Sequence, residues 1–350
     1  MDTNRQHELK HIQVVDWSAD GQAWDAYVSA TPDGTVCHLY GWRQVIEHAY
    51  GHRTFYLAAT TNGVICGVLP LVLLKSRLFG RHLVSMPFMD YGGVVTQEGT
   101  GVCNALVAAA LKLAHAHRAT LSLRCATDQG LDLPLWLEKL TMVLDLGKSE
   151  EALWNRLPSE RRNRIRKGQK NGLDISFHGA DALEAFYRIF AVNMRDLGSP
   201  VHSRGFFRHM FTHLSQYLRI ILVHHQGHPI GAACCLFYKA VITIPGWISA
   251  LRPFFSLCPN QVLHWELMRF GIANGYRLLD LGRSSKDTGT LEAKRQWHAR
   301  PVQLYWYYSP AVPPAGGEQA RFSRQADFWR RLPLTIANTL GPVIRQRLPN

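Results

Sequence analysis

The sequence predicts an α/β protein of two similar modules, each with a mixed, mainly antiparallel sheet flanked by helices. The chain has 350 residues, of which 47% are hydrophobic, enough for two domains of roughly 100–200 residues. Segments separated by one constant offset match without a gap, and the same order of predicted elements recurs in both halves. Antiparallel hairpins followed by a helix and a further strand argue against a doubly wound dinucleotide fold.

The repeat has an offset of 164 residues. It aligns residues 38–42 with 202–206, the turn Asn62-Gly63 with Gln226-Gly227, and Gly67 with Gly231. We therefore predict a duplicated module with a junction near residues 145–160.

The elements of the first half follow from periodicity and turn residues. Asn62-Gly63 is typical of a hairpin turn, and Ala and Leu recur at helical spacing after residue 102. The predicted order is helix 38–50, strand 55–60, strand 64–74, helix 102–117 and strand 120–125.

The second half repeats this order. Its predicted elements are helix 203–214, strand 218–224, strands near 230–238 and 241–248, helix 260–274 and strand 276–281.

These elements divide the chain into three segments. Residues 1–148 form the first module, on the acceptor side, and residues 149–310 form the second, with a basic helix at 154–170 and a site loop at 280–297. Residues 311–350 follow a Pro-, Ala- and Gly-rich linker and alternate Arg with apolar residues. They predict a basic amphipathic helix broken by Pro333 and Pro342.

Composition indicates which class of partner the protein binds and in which cellular compartment it is expected. The net charge of +13 and the pI near 9.6 predict a surface that binds phosphates or anionic lipid heads. No apolar stretch predicts a secretory signal or a membrane-spanning helix. The seven cysteines lack any Cys-x-x-Cys pair, which is typical of buried thiols in a reducing cytoplasm. We expect a cytoplasmic protein with peripheral contact to an anionic membrane.

The basic segment 156–170 is the first candidate binding site. As a helix it places Arg162, Arg166 and Lys170 on one face, where guanidinium groups would hold phosphates by charge-assisted bonds. The alternative is a solvated helix face.

The loop at 279–290 is the second candidate. It follows a predicted strand and carries Gly282, Arg283 and Ser284, and ligands commonly bind at strand ends in α/β sheets. It matches neither a Walker nor a Rossmann motif, and it could be an ordinary polar connection. Lys294 lies on a short amphipathic helix after it and could equally be a surface lysine.

Other chemistries have weaker support. His209 and His213 are four residues apart on one predicted helix, but no third ligand accompanies them, so we predict no metal. No Gly-x-Ser-x-Gly elbow is present. Cys234 and Cys235 lie within an apolar strand, where a thiol usually packs.

The chain resembles the FemAB-like acyltransferases, in particular the bacterial proteins associated with PEP-CTERM/exosortase and exopolysaccharide loci. The resemblance covers nearly the whole length. It rests on the segments at residues 50–52, 69–71, 78–80, 85–88, 90–93, 195–200 and 280–284, which read YGH, LPL, LFG, SMPF, DYGG, RDLGSP and DLGRS.

The resemblance implies two tandem GNAT-like modules and an acyltransferase without bound cofactor. Characterised relatives transfer amino acids from aminoacyl-tRNA to an amine on a nucleotide- or lipid-linked muropeptide. Their lysine in a Phe-Lys motif, which helps stabilise charge at the transferred carbonyl, corresponds to Lys294, with Ala293 in place of the phenylalanine. The acceptor is expected to be a lipid- or nucleotide-linked glycan, and tRNA a candidate partner.

Direct attack on an activated ester or thioester needs proximity, a proton acceptor and a positive or N–H group at the oxyanion. We expect Lys294 and Arg283 to supply charge and Asp280 to act as base or orienting group. Asp90 and Tyr91 would line the acceptor groove, and Ser284 would contact substrate.

Two alternatives stay open. One is a GNAT N- or O-acyltransferase that uses acyl-CoA or acyl-carrier protein, although residues 251–256 lack the glycines of the usual pyrophosphate loop. The other is a non-catalytic basic module that binds glycan or lipid. The position of Lys294 relative to Asp280 and Arg283 distinguishes an enzyme from a binding module.

Overall fold

The fold consists of two mixed sheets with helices between and outside them. A computed structural model describes residues 12–286, 289–312 and 325–349. Within these ranges, no helix has the length and apolar character needed to cross a bilayer. Asp287 and Thr288 of the site loop, and Arg321, Phe322 and Arg324 of the tail, lie outside the described residues.

The first sheet has the strand order β1-β2-β3-β4-β6-β16-β7, with β5 paired to β3. Its strands are β1 (Gln13–Asp16), β2 (Arg53–Thr61), β3 (Val64–Ser76), β4 (Gly80–Val84), β5 (Val95–Thr96), β6 (Thr120–Cys125), β7 (Leu135–Trp136) and β16 (Tyr305–Ser309).

The second sheet has the order β15-β8-β14-β12-β11-β10-β9, with β13 paired to β11. Its strands are β8 (Lys139–Asp145), β9 (Leu173–His178), β10 (Leu218–His225), β11 (His228–Tyr238), β12 (Val241–Thr243), β13 (Ile248–Ala250), β14 (Leu278–Ser285) and β15 (Arg300–Gln303).

The helices flank these sheets. They are α1 (Gly21–Ala30), α2 (Gly41–Tyr50), α3 (Thr100–His117), α4 (Glu150–Arg156), α5 (Ser159–Lys170), α6 (Leu183–Asp196), α7 (Arg204–His213), α8 (Pro259–Ala273), α9 (Gly289–Arg295), α10 (325–330) and α11 (Leu334–Arg345).

The hairpins of the two modules have the same conformation, as the repeat predicts. Asn62 and Gly63 have φ values of 52° and 79°, and Gln226 and Gly227 have 51° and 79°. Each hairpin also has an irregularity in its strand pairing, at Ala59/Thr60 in β2 and at Val223/His224 in β10. These two irregularities are separated by the same 164 residues as the turns.

The two sheets exchange strands across the predicted boundary at residue 148. β8 precedes that boundary, yet it pairs with β14 and β15 in the second sheet. β16 belongs to the predicted second module, residues 149–310, yet it lies between β6 and β7 in the first sheet. Each sheet is therefore completed by a strand from the other half of the chain.

Three apolar layers hold the molecule together. The central layer lies between the sheets and contains side chains from both modules, including Trp24, Trp42, Phe186 and Phe207. The outer layers pack α3 on the first sheet, and α5 and α8 on the second. Central strands such as β10 therefore bury both faces, which explains their continuous apolar sequences.

Three predicted elements are corrected by the structure. The basic segment 154–170 is two helices, because Pro158 cannot continue α4. The strand predicted at 241–248 separates into β12 and β13 around a turn at Gly246. Pro342 does not break the tail helix: α11 continues through it and lacks one backbone hydrogen bond there.

Candidate active site

The site lies where two parallel strands separate. β12 and β14 pair over three residues, ending at Thr243 and Asp280, and the Ile244 N–H still donates to the Asp280 carbonyl at 2.9 Å. The chain beyond β12 then turns away. β14 instead continues along β8, with an irregular pairing between Asp280 and Arg283.

This irregularity depends on Gly282. Its φ is +76°, a conformation that L side chains rarely adopt. A Cβ atom there would also lie 2.5 Å from the Ile244 carbonyl oxygen and 3.3 Å from a carboxylate oxygen of Asp90. Only glycine allows the first module to approach β14 so closely.

Asp280 is the buried centre of the site, with only 2% of its surface exposed. Its carboxylate accepts hydrogen bonds from the Thr141 hydroxyl at 2.5 Å, the Tyr91 hydroxyl at 2.7 Å and the Gly282 N–H at 2.8 Å. Burial raises its pKa above the usual range despite these donors. The three donors hold the carboxylate in one orientation.

Asp90 and Arg283 join the two modules beside this centre. One carboxylate oxygen of Asp90 accepts from the Arg283 N–H at 2.8 Å, and the other lies 3.5 Å from Arg283 Nε. The guanidinium also lies over the Trp306 ring, 5.0 Å from its centroid. Its Nη1 is buried without a hydrogen-bond partner among the described residues.

Lys294 projects from α9 to the same bulge. Its Nζ donates to the carbonyl oxygens of Gly282 at 2.7 Å and of Arg283 at 2.9 Å. Burial lowers the pKa of Lys294 to about 8, an effect that Asp90 and Asp280 oppose and Arg283 reinforces. An ammonium has three N–H donors, so one is left for a ligand once these two carbonyls are satisfied.

Two further arginines make this region strongly cationic. Arg124 is buried in β6, lies 4.4 Å from the Trp306 ring centroid and donates to the Met89 carbonyl at 3.2 Å and to the Pro349 carbonyl. Arg345 of α11 donates to His202 at 3.1 Å. Loss of solvent and the neighbouring Arg283 lower the pKa of Arg345 to about 10.

The predicted site residues fall into two groups. The structure brings together Lys294, Asp280, Arg283, Asp90 and Tyr91, with Ser284 buried next to them in β14. Tyr91 is itself buried, so it connects the modules rather than lining an open groove. The basic residues Arg162, Arg166 and Lys170 lie apart on α5, and no contact among the described residues joins them to Asp280.

Sequence reasoning missed Thr141, Arg124 and Arg345. Arg124 interrupts an otherwise apolar predicted strand, which is a usable signal for a buried charge with a specific role. Thr141 and Arg345 reach the site only through the strand exchange and the fold of the tail, which no local pattern reveals.

The α8 N-terminus, where a GNAT module usually holds a pyrophosphate, is covered by α5. A Cβ on Gly168 would lie 2.3 Å from Val262 Cγ2 and 3.1 Å from the Leu257 carbonyl oxygen. The preceding turn at Arg252–Leu257 is a 3₁₀ helix. The basic helix therefore packs directly against this end of α8.

Comparisons with known proteins concern the fold and the family match. Residues 159–295 match the family described as Acetyltransferase (GNAT) domain. No curated protein sequence matches the chain.

Solved structures share the fold at low sequence identity. FemX superposes with a TM-score of 0.68 at 14% identity, covering 84% of this chain and 97% of its own. The C-terminal domain of a putative lysylphosphatidylglycerol synthetase from Agrobacterium fabrum has a TM-score of 0.58 at 12% identity, covering 87% and 94%. A tandem GNAT protein from the clavulanic acid biosynthesis pathway has a TM-score of 0.51 at 15% identity, covering 87% and 100%.

The family match, the two sheets and the tandem neighbours agree on one assignment. Residues 159–295 match the GNAT acetyltransferase domain, and the chain is an acyltransferase built from two modules with the GNAT fold.

Proposed function

We propose that this enzyme transfers an acyl or aminoacyl group from an activated ester or thioester to an amine or hydroxyl of an anionic cell-envelope or exopolysaccharide precursor. The observation that carries the proposal is the position of Lys294. Its Nζ donates to the carbonyl groups of Gly282 and Arg283, close enough to Asp90 and Asp280 for both carboxylates to act on its charge.

In the proposed reaction the acceptor nitrogen or oxygen attacks the donor carbonyl carbon directly. The carbonyl π electrons move to oxygen, where the third N–H of Lys294 stabilises the negative charge. Asp90, which is partly exposed, takes the proton from the attacking group. The electron pair on oxygen then re-forms the carbonyl as the C–O or C–S bond breaks, and the leaving group departs with the bonding pair and takes the proton that Asp90 had accepted.

Asp280 acts in this scheme as an orienting group. Its carboxylate already accepts from Thr141, Tyr91 and Gly282. It therefore fixes the bulge on which Lys294 and Arg283 depend.

The cationic surroundings support an anionic acceptor. Arg283 and Arg124 lie over the same Trp306 ring. The positive charge of Arg283 is also close enough to lower the pKa of Arg345. A phosphate would engage the unpartnered Arg283 Nη1 and reduce this repulsion. One structural neighbour is by name the C-terminal domain of a putative lysylphosphatidylglycerol synthetase, and phosphatidylglycerol, the lipid part of that name, is an anionic lipid of this acceptor class.

For the donor we propose binding along the exposed side of α5. Arg166 and Lys170 are exposed there, Arg162 is partly buried, and Arg162 Nε has no partner among the described residues. Because α5 covers the α8 N-terminus, the phosphates of a CoA donor would not reach their usual position. This favours aminoacyl-tRNA over acyl-CoA, with acyl-carrier protein as the second candidate.

Peripheral membrane contact through the tail is also part of the proposal. α11 packs inward through Ala337 and Gly341, while Ile336, Leu340 and Val343 are each more than 40% exposed. An exposed apolar ridge on an amphipathic helix is typical of a helix that lies on a bilayer surface. A lipid-linked acceptor would be presented at such a surface.

A donor-consumption assay tests the proposal. Alanyl-tRNA, acetyl-CoA and acyl-carrier protein loaded with an acetyl thioester are each incubated with UDP-glucosamine, a nucleotide-linked amino sugar, and the purified enzyme. We expect aminoacyl-tRNA to be consumed with acylation of the amine, and consumption to require Lys294. Equal consumption by Lys294→Met would contradict the proposed site, and preferential consumption of acetyl-CoA would contradict the proposed donor.

A further inference from the structure

Three histidines meet where the two modules contact each other. His48 is exposed on α2, whereas His209 and His213 are partly buried on α7. The ring centroid of His48 lies 5.4 Å from that of His209 and 5.2 Å from that of His213. The centroids of His209 and His213 are 6.2 Å apart. One nitrogen from each ring can be chosen so that all three lie within 4.8 Å of one another.

The backbone places these rings together for two independent reasons. His209 and His213 are four residues apart on one helix, so they lie on the same face. His48 arrives from the equivalent helix of the other module, because α2 and α7 pack closely. A Cβ on Gly41, at the start of α2, would lie 2.7 Å from the His213 carbonyl oxygen.

The separation of the nitrogens fits a transition-metal ion. Two imidazole nitrogens bound tetrahedrally to zinc at about 2.0–2.1 Å lie roughly 3.3 Å apart. His48 Nδ1 and His213 Nε2 are 3.2 Å apart. A ring nitrogen of His209 lies within 4.8 Å of the ligand nitrogens of His48 and His213.

The ligand chemistry indicates which ions would bind. A neutral imidazole coordinates a metal through the lone pair of its unprotonated ring nitrogen. Within the described ranges the cluster contains no carboxylate, and an all-imidazole set suits zinc, copper or nickel rather than magnesium or calcium.

We propose that His48, His209 and His213 form a zinc-type metal site that joins the two modules. The ion binds three protein nitrogens and leaves its remaining position to water. No described contact links the cluster to Lys294 or Asp280, so the site is separate from acyl transfer. Its role is to hold α2 against α7.

Isothermal titration of the tag-free, EDTA-treated full chain with ZnCl₂ tests the proposal. We expect one zinc per chain, an increase in Tm on zinc addition, and no comparable binding of MgCl₂. His48→Ala and His213→Ala should each weaken zinc binding at least tenfold and abolish the zinc-dependent increase in Tm. His228→Ala, at an exposed histidine in the β10–β11 hairpin, is the matched control and should bind as the unaltered chain does.

Two results would overturn the site. One is the absence of stoichiometric binding by the unaltered chain, and the other is binding by His48→Ala equal to that of His228→Ala. The metal-free Tm of each variant shows whether it is folded. Should His48→Ala fail to fold, His48→Gln keeps the polar surface while removing the imidazole ligand. A visible spectrum of tetrahedral Co²⁺ in the unaltered chain, lost in either variant, provides an independent readout.

Discussion

The Tyr91 hydroxyl donates a 2.7 Å hydrogen bond to the buried carboxylate of Asp280. Tyr91 belongs to the loop after β4 of the first module, and Asp280 to β14 of the second. This bond therefore ties the conformation of the Gly282 bulge to the position of the first module.

Tyr91→Phe should lower the free energy of unfolding by about 1.5–3 kcal/mol, the usual contribution of a buried hydrogen bond to a charged group. Urea denaturation measures the change. Tyr27→Phe is the control, since its hydroxyl donates to the neutral Cys66 carbonyl at 2.7 Å, and it should cost only about 0.5–1.5 kcal/mol. Equal losses of unfolding free energy in both variants would show that the charge of the Asp280 carboxylate does not strengthen the hydrogen bond from Tyr91.

Lys294→Met should reduce kcat by roughly 10²–10³-fold while leaving the Tm nearly unchanged, because the lost charge acts mainly in the transition state. The ammonium form is the active one, and its pKa is about 8. Activity should therefore fall as the pH rises through this value.

A pH–rate profile checks whether this fall in activity is caused by deprotonation of Lys294. Lys294→Arg keeps a positive charge throughout the range, so its residual activity should show no decline near pH 8. A decline that persists in Lys294→Arg would belong to another group.

Gly282→Ala should destabilise the chain by about 2 kcal/mol or more, because a positive φ and a close contact with Ile244 oppose any side chain. The displaced bulge should also reduce kcat. Gly289→Ala, where a Cβ meets no atom within 4 Å, is the control and should be nearly neutral in thermal unfolding. Normal stability of Gly282→Ala would mean that the bulge relaxes without cost.

Arg345→Gln should raise the KM for an anionic acceptor roughly tenfold or more, as expected for loss of a charge-assisted bond. The KM for the acyl donor should stay unchanged. Arg347→Gln alters an exposed arginine of the same segment and serves as the control in steady-state kinetics. A larger donor KM, with an unaltered acceptor KM, would place Arg345 in the donor site instead.

Replacement of Ile336, Leu340 and Val343 by serine should abolish co-sedimentation with phosphatidylglycerol vesicles. These side chains are exposed, so folding should be preserved, whereas truncation of the tail would also remove the buried Trp329. Leu78→Ser removes an apolar side chain that is 87% exposed elsewhere and should not alter binding. Undiminished binding by the triple variant would exclude α11 as the membrane contact.

The sequence predicted features that depend on residues close together in the chain, such as the hairpin turns. The Asn62-Gly63 and Gln226-Gly227 turns helped to reveal the duplication, because each ends in a glycine, which takes a positive φ at no steric cost. The conjunction of Asp280 with Tyr91 and Thr141 depends on contacts between segments separated by more than 130 residues. The single sequence carries no periodic signal for such contacts.

The tail also makes contacts that the sequence does not reveal. The structure has a helix in the tail whose one basic residue is Arg345. The predicted break at Pro342 was wrong because packing of Gly341 against Val201 helps hold that turn despite the missing bond. The sequence also did not reveal that His48 lies beside His209. The two helices meet only in the folded chain.

The exchange of β8 and β16 affects how the protein is made. During synthesis β6 has no partner on one side until residues 305–309 have left the ribosome, because β16 lies between β6 and β7. An exposed strand edge readily pairs with other chains. The first half, although translated first, thus depends on the end of the second half for its protection, and release of either half as a separate polypeptide would yield an aggregation-prone sheet.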